Sequence, residues 1–140
     1  MSDKKFKHLD YIHNTISRMS SNSFVIKGWT ISIVSILFVF SDKEMNGSFL
    51  LISLIAVIIF WYLNGFFLQQ ERKFRALYDK VRSLSENEID FSMSTDDFKN
   101  GKFSLLSGIF GKTIWPLYLS ILIMIIIGKY IIESTVANNV

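Results

Sequence analysis

The sequence predicts an all-α membrane protein, with three transmembrane helices joined to amphipathic cytoplasmic helices. Three observations predict it. Apolar stretches occupy 24–40, 48–68 and 114–132. The middle stretch carries no charge and has roughly the 20 residues needed to cross about 30 Å of hydrocarbon. Half of the 140 residues are hydrophobic and only 19% are charged, below the usual quarter. What lies outside the spans is too short for a soluble catalytic domain. The chain has no cysteine, which excludes a disulfide, a thiolate nucleophile and a Cys-based metal site.

The elements follow in order. Residues 1–23 read as a cytoplasmic amphipathic helix. Phe6, Leu9, Ile12, Ile16 and Met19 recur at three- or four-residue steps, with Lys5, His8, Asn14 and Ser17 largely elsewhere. Such a helix lies on headgroups or packs on other cytoplasmic helices, and packing is the reading preferred here. Ser20-Ser21-Asn22-Ser23 is expected to break it or to recap the next element. The first span, 24–40, contains Lys27 near one edge and is expected to act as an uncleaved signal anchor, with no apolar run before it. An external loop follows at 41–47.

The second span, 48–68, has no break where the charges begin. Phe67, Phe74, Leu77, Tyr78, Val81 and Leu84 keep helical spacing, so one helix is expected from Ser48 to Ser85. It would be roughly 55 Å long, with about 25 Å in the cytoplasm. Its outer part pairs a basic face with an apolar stripe that is expected to need partner helices from other subunits. The rest of the cytoplasmic segment 69–112 is rich in turn and cap residues, and Leu105–Phe110 is expected to dip into the interface. The third span, 113–133, leads to an external tail at 134–140. Trp29, Trp61, Tyr62, Trp115 and Tyr118 read as interfacial belts.

Topology follows from the basic residues. Thirteen of the fifteen are the four in 1–23, Lys27 at the edge of the first span and the eight in 69–112; Lys43 and Lys129 are the exceptions. The N-terminus and the long loop are therefore expected to be cytoplasmic, and the C-terminus periplasmic or external. The expected location is a bacterial inner membrane.

Catalytic chemistry is not legible. His8 and His13 are out of helical register for a shared ligand. There is no phosphate-binding glycine loop, zincin motif or nucleophile elbow. The expectation is a non-enzyme with no cofactor, no metal and no catalytic residue. Polar residues inside the spans say more. Ser32 and Ser35, Ser53 and Asn64, and Ser120, Gly128 and Lys129 fall on stripes that either pack helices or line water. Lys129 is expected to pair with Glu133 at i+4 rather than ring a pore.

Three segments together look familiar: 22–29 (Asn-Ser-Phe-Val-Ile-Lys-Gly-Trp), 69–78 (Gln-Gln-Glu-Arg-Lys-Phe-Arg-Ala-Leu-Tyr) and 110–118 (Phe-Gly-Lys-Thr-Ile-Trp-Pro-Leu-Tyr). The chain resembles small bacterial multi-pass membrane effectors of anti-phage defence, the Hailong-type effectors among them. The resemblance implies an oligomer that opens a pore under control of a nucleotide-signalling enzyme. It assigns no ligand-binding residue by position. The basic residues Arg72, Lys73, Arg75, Lys80 and Arg82 are the candidates to bind a nucleotide or oligonucleotide, with no duplex nucleic acid expected. The partners expected are the lipid bilayer and a homo-oligomer of three to five subunits. The alternatives are an immunity protein against a pore-forming toxin or a transporter accessory subunit. Toxicity on overexpression separates the channel from both.

Overall fold

A computed structural model describes residues 3–44 and 48–138. It is helical, with no strand among the described residues. Helix α1 runs Asp3–Glu44 and α2 runs Ser48–Ser83. Two single 3-10 turns, Glu86–Glu88 and Gly101–Phe103, lead to the short α3, Leu105–Ile109. Helix α4 spans Trp115–Asn138. Three helices, α1, α2 and α4, are long and apolar enough to cross a membrane, as the sequence predicts.

The break expected at Ser20–Ser23 is absent: α1 is one helix of 42 residues. Ser and Asn lower helix propensity by only about 0.5 kcal/mol each, and no proline interrupts the run. Packing on α2 outweighs that cost. Helix α2 ends at Ser83, two residues before the expected Ser85. The expected loop at 41–47 is shorter, because α1 reaches Glu44; residues 45–47 lie outside the described ones. The expected tail at 134–140 is helical as far as Asn138, since nothing in Glu133–Asn138 stops a helix.

Helices α1 and α2 form an antiparallel hairpin, with α4 parallel to α1. Two cores hold them. In the first, Leu9, Ile12 and Ile16 of α1 bury Leu77 and Val81 of α2, and Ile89 closes the end. Phe74, Tyr78, Leu84 and Phe98 pack around it. The stripe on α2 is therefore covered by the chain's own N-terminus. That removes the argument that it needs other subunits.

Lys5 and His8 are also buried, contrary to their expected place on the polar side. Lys5 Nζ donates to Leu84 O at 2.7 Å and Arg82 O at 3.3 Å. Its ammonium thus satisfies carbonyls at the negative end of α2, where a cation is favoured. His8 packs edge-on against Phe91, with ring centroids 5.5 Å apart. Phe91 has φ of 55°, a left-handed conformation that costs a non-glycine residue about 1 kcal/mol.

The second core lies between the spans. Val57 of α2 meets Ile121 and Ile125 of α4, with Ile114 and Tyr118 at the near end. At the far end Gly128 lies against the ring of Phe38, with no room for a Cβ.

Candidate functional site

Ser23, Thr30, Asn64 and Tyr118 form a buried polar node where the three long helices meet. Asn64 and Thr30 are fully enclosed, as is Tyr118. Ser23 Oγ donates to Asn64 Oδ1. Asn64 Nδ2 donates to the Tyr118 hydroxyl at 3.2 Å, and that hydroxyl donates to Phe60 O at 3.2 Å. Thr30 Oγ1 lies 3.4 Å from the same hydroxyl and donates to Ile26 O at 2.7 Å. Every group has a partner, so the node avoids the penalty of a bare polar atom in an apolar region. One residue from each of the other helices reads Asn64, which sets the register of α1, α2 and α4. Interhelical hydrogen bonds in membranes contribute about 0.6 kcal/mol each on average.

Trp61 seals the node. Its ring stacks on Tyr118 at 5.8 Å and 1°, and its Nε1 donates to Ile109 O at 2.9 Å. Tyr118 is thus a core residue, not the belt residue its position suggested. Trp29, Tyr62 and Trp115 are exposed.

Helix α3 docks beside the node. The Gly65 and Gly108 backbones touch, and a Cβ on Gly65 would lie 2.8 Å from Ile109 N and Cα. This contact sits level with the end of the apolar stretch of α2. Gln69 Nε2 donates to Phe103 O at 2.8 Å.

The basic cluster is largely engaged within the chain. Arg72 Nη1 donates to Ser107 O and Oγ at 2.9 Å and to Lys102 O at 3.2 Å. It is a clamp on the segment before α4, a role that the charge pattern of α2 concealed. Arg75 pairs with Glu71 at 2.8 Å and Arg82 with Asp79 at 3.6 Å. Lys80 pairs with Asp97 at 2.6 Å, and this hydrogen bond holds the ammonium above its usual range. Lys73 is the remaining member of the five, with no hydrogen bond or ion pair among the described residues.

The span residues divide into two groups. Ser53, Asn64 and Gly128 face the interior. Ser32, Ser35 and Ser120 are exposed. Ser35 and Ser120 lie on the rims of an apolar groove of about 430 Å³ between α1 and α4, with Phe38 and Met124. Their hydroxyls return to Ile31 O and Pro116 O, each at 2.8 Å. Lys129 is exposed and pairs with Glu133 at 3.7 Å, as the i+4 spacing predicts. Among the described residues no group of three His, Asp or Glu could hold a metal ion.

No protein-family model, curated protein or solved structure matches this chain. Of the segments 22–29, 69–78 and 110–118, the first and third meet at Asn64 through Ser23 and Tyr118, and the third touches the second through Gly111 and Arg72.

Proposed function

We propose that this chain is a subunit of a homo-oligomeric membrane channel of the bacterial effector kind, in a bacterial inner membrane and without enzymatic activity. The observation that carries the reading is the face of α1 formed by Gly28, Ser32 and Ser35. A Cβ at Gly28 would have nothing within 4 Å, and both serines are exposed. The Ser32 hydroxyl has no hydrogen bond among the described residues. An unpaired hydroxyl in hydrocarbon is costly, and small residues let a second helix approach closely. Only 11% of the apolar window of α1 is buried inside the chain, against 28% for α2. The seam between α2 and α4 is filled by Val57, Ile121 and Ile125, which supports an ion path between subunits rather than along that seam.

Helix α1 also supplies a route for control. The same unbroken helix carries Leu9, Ile12 and Ile16 in the cytoplasmic core and Ser32 in the membrane. A ligand that displaces the cytoplasmic hairpin therefore turns the span. A nucleotide signal and a role in phage defence rest on the resemblance of the three segments and on Lys73 and its basic neighbours.

The native chain has no cysteine, so Ser32→Cys gives an unambiguous test. The purified variant should form disulfide-linked dimers in liposomes, and the cross-link should change ion flux. A heterologous partner, as in the immunity or accessory readings, predicts no cross-link in the pure protein and no flux.

The basic residues predict the orientation as well. Alkaline phosphatase fused after Ser134 should be active, and the same fusion after Ser85 inactive. The opposite pattern would invert the assignment of sides.

A further inference from the structure

A polar cleft of about 560 Å³ opens between α1 and α2 just beyond the apolar stretches. Helix α1 lines it with Ser17, Ser20 and Ser21, and α2 with Arg75, Tyr78 and Asp79. Both sets have i, i+3, i+4 spacing, so each occupies one helix face. His13 closes the outer end, its ring 6.4 Å from that of Tyr78.

The groups facing the cleft are unusually free. Helical Thr15, Thr30, Ser35, Ser53 and Ser120 return their hydroxyls to the carbonyl four residues back. Ser17, Ser20 and Ser21 make no hydrogen bond among the described residues, nor does the Tyr78 hydroxyl or the His13 ring. Arg75 engages Glu71 through Nε and Nη2, which leaves Nη1 for another acceptor. Among the described residues Asp79 is held only by the exposed Arg82 at 3.6 Å.

Two features define the ligand. The first is charge. The cleft presents one guanidinium and one carboxylate, a turn apart on the same helix. A polyanion would be repelled by Asp79; a group with its own anion and cation would satisfy both. The second is depth. Helical side chains lean toward their own N-terminus, so Arg75 leans toward the membrane, and its bond to Glu71 shows that it does. Glu71 stands three residues past Leu68, about 4.5 Å along the axis. The headgroup layer is about 5–7 Å thick on each side of the hydrocarbon. Ser20 and Ser21 fall at a similar height, a few residues before Phe24.

We propose that this cleft binds a phosphate bearing a primary amine, carried as the headgroup of a membrane phospholipid. The phosphate accepts from Arg75 Nη1 and the hydroxyls of Ser20 and Ser21. The ammonium donates to Asp79, with Tyr78 and His13 as the outer wall. A bidentate or charge-assisted contact of this kind is where arginine is strongest. The site is separate from the α1 face assigned to self-association and stands whether or not the chain conducts.

The test uses the intact protein in neutral detergent with equal amounts of phosphatidylethanolamine, phosphatidylglycerol and phosphatidylcholine, read by native mass spectrometry. The wild type should retain phosphatidylethanolamine roughly ten-fold over the other two. Arg75→Gln with Ser20→Ala and Ser21→Ala should lose that preference. Asp79→Asn should make phosphatidylethanolamine and phosphatidylglycerol equal, a change of selectivity that misfolding would not produce. All four positions are exposed, so circular dichroism should be unchanged. A second arm measures thermal protection by soluble phosphoethanolamine and inorganic phosphate. Protection by soluble phosphoethanolamine with no lipid retained would overturn the membrane source. Equal retention of the three lipids by the wild type, or an unchanged preference in Asp79→Asn, would overturn the site.

Discussion

Leu77→Asp should open the hairpin between the start of α1 and the end of α2 while leaving the spans inserted. Leu77 is 6% exposed and sits among Leu9, Ile12, Ile16 and Val81, and the nearby buried Lys5 is committed to the Arg82 and Leu84 carbonyls. An unpaired carboxylate there either stays charged at large cost or takes up a proton; both oppose folding by at least about 3 kcal/mol. The core has six buried residues, so a loss of that size is enough to separate the two arms. Trypsin should then cut at Arg18 and Arg82 at least ten times faster, with the membrane fragments intact. Leu77→Ala, expected to cost about 2–5 kcal/mol, should show the same pattern without introducing charge. Unchanged protection in both variants would mean that α1 does not cover this stripe. Because the cover comes from the same chain, the effect should not depend on protein concentration.

Gly65→Val should detach α3 and loosen everything hung from it. The obstacle is the backbone of Ile109, 2.8 Å from a Cβ at Gly65, and no rotamer change can relieve it. Forcing an extra group into such a contact costs about 1–3 kcal/mol or more. Separation also breaks the bonds from Trp61 to Ile109, Gln69 to Phe103 and Arg72 to Ser107. Hydrogen exchange across 101–111 should accelerate at least ten-fold, and the thermal midpoint should fall. Ile55→Val, a conservative change at an exposed position of the same helix, is the matched control. Equal exchange in the two variants would show that the Gly65–Gly108 contact does not hold α3.

The long-range periodic signals were legible. The three spans, the continuity of α2 past its apolar stretch and the Lys129–Glu133 pair all follow from spacing along one helix. The buried polar stripe of Ser53, Val57 and Asn64 was legible too, because a polar side chain in hydrocarbon requires a partner. The identity of that partner was not. Tyr118 is separated from Asn64 by 54 residues, and its position near a span end fits a belt as well as a core. Lys5 and Arg72 show why charge alone misleads. Each looks like a solvated cation, yet each serves backbone carbonyls brought to it by another segment. The continuity of α1 was masked by Ser20–Ser23, whose cap chemistry has no competing signal until α2 lies alongside.

The cover that α1 gives α2 also has an order in time. Leu9 leaves the ribosome 68 residues before Leu77, so at about 5–20 residues per second it waits roughly 3–14 s for its partner. During that interval the apolar side of the first helix faces water or the nearest bilayer surface. The same side chains that later close the hairpin are those an amphipathic helix uses to rest among lipids. The nascent first helix is thus an amphipathic segment able to rest on a bilayer surface until α2 emerges to cover it.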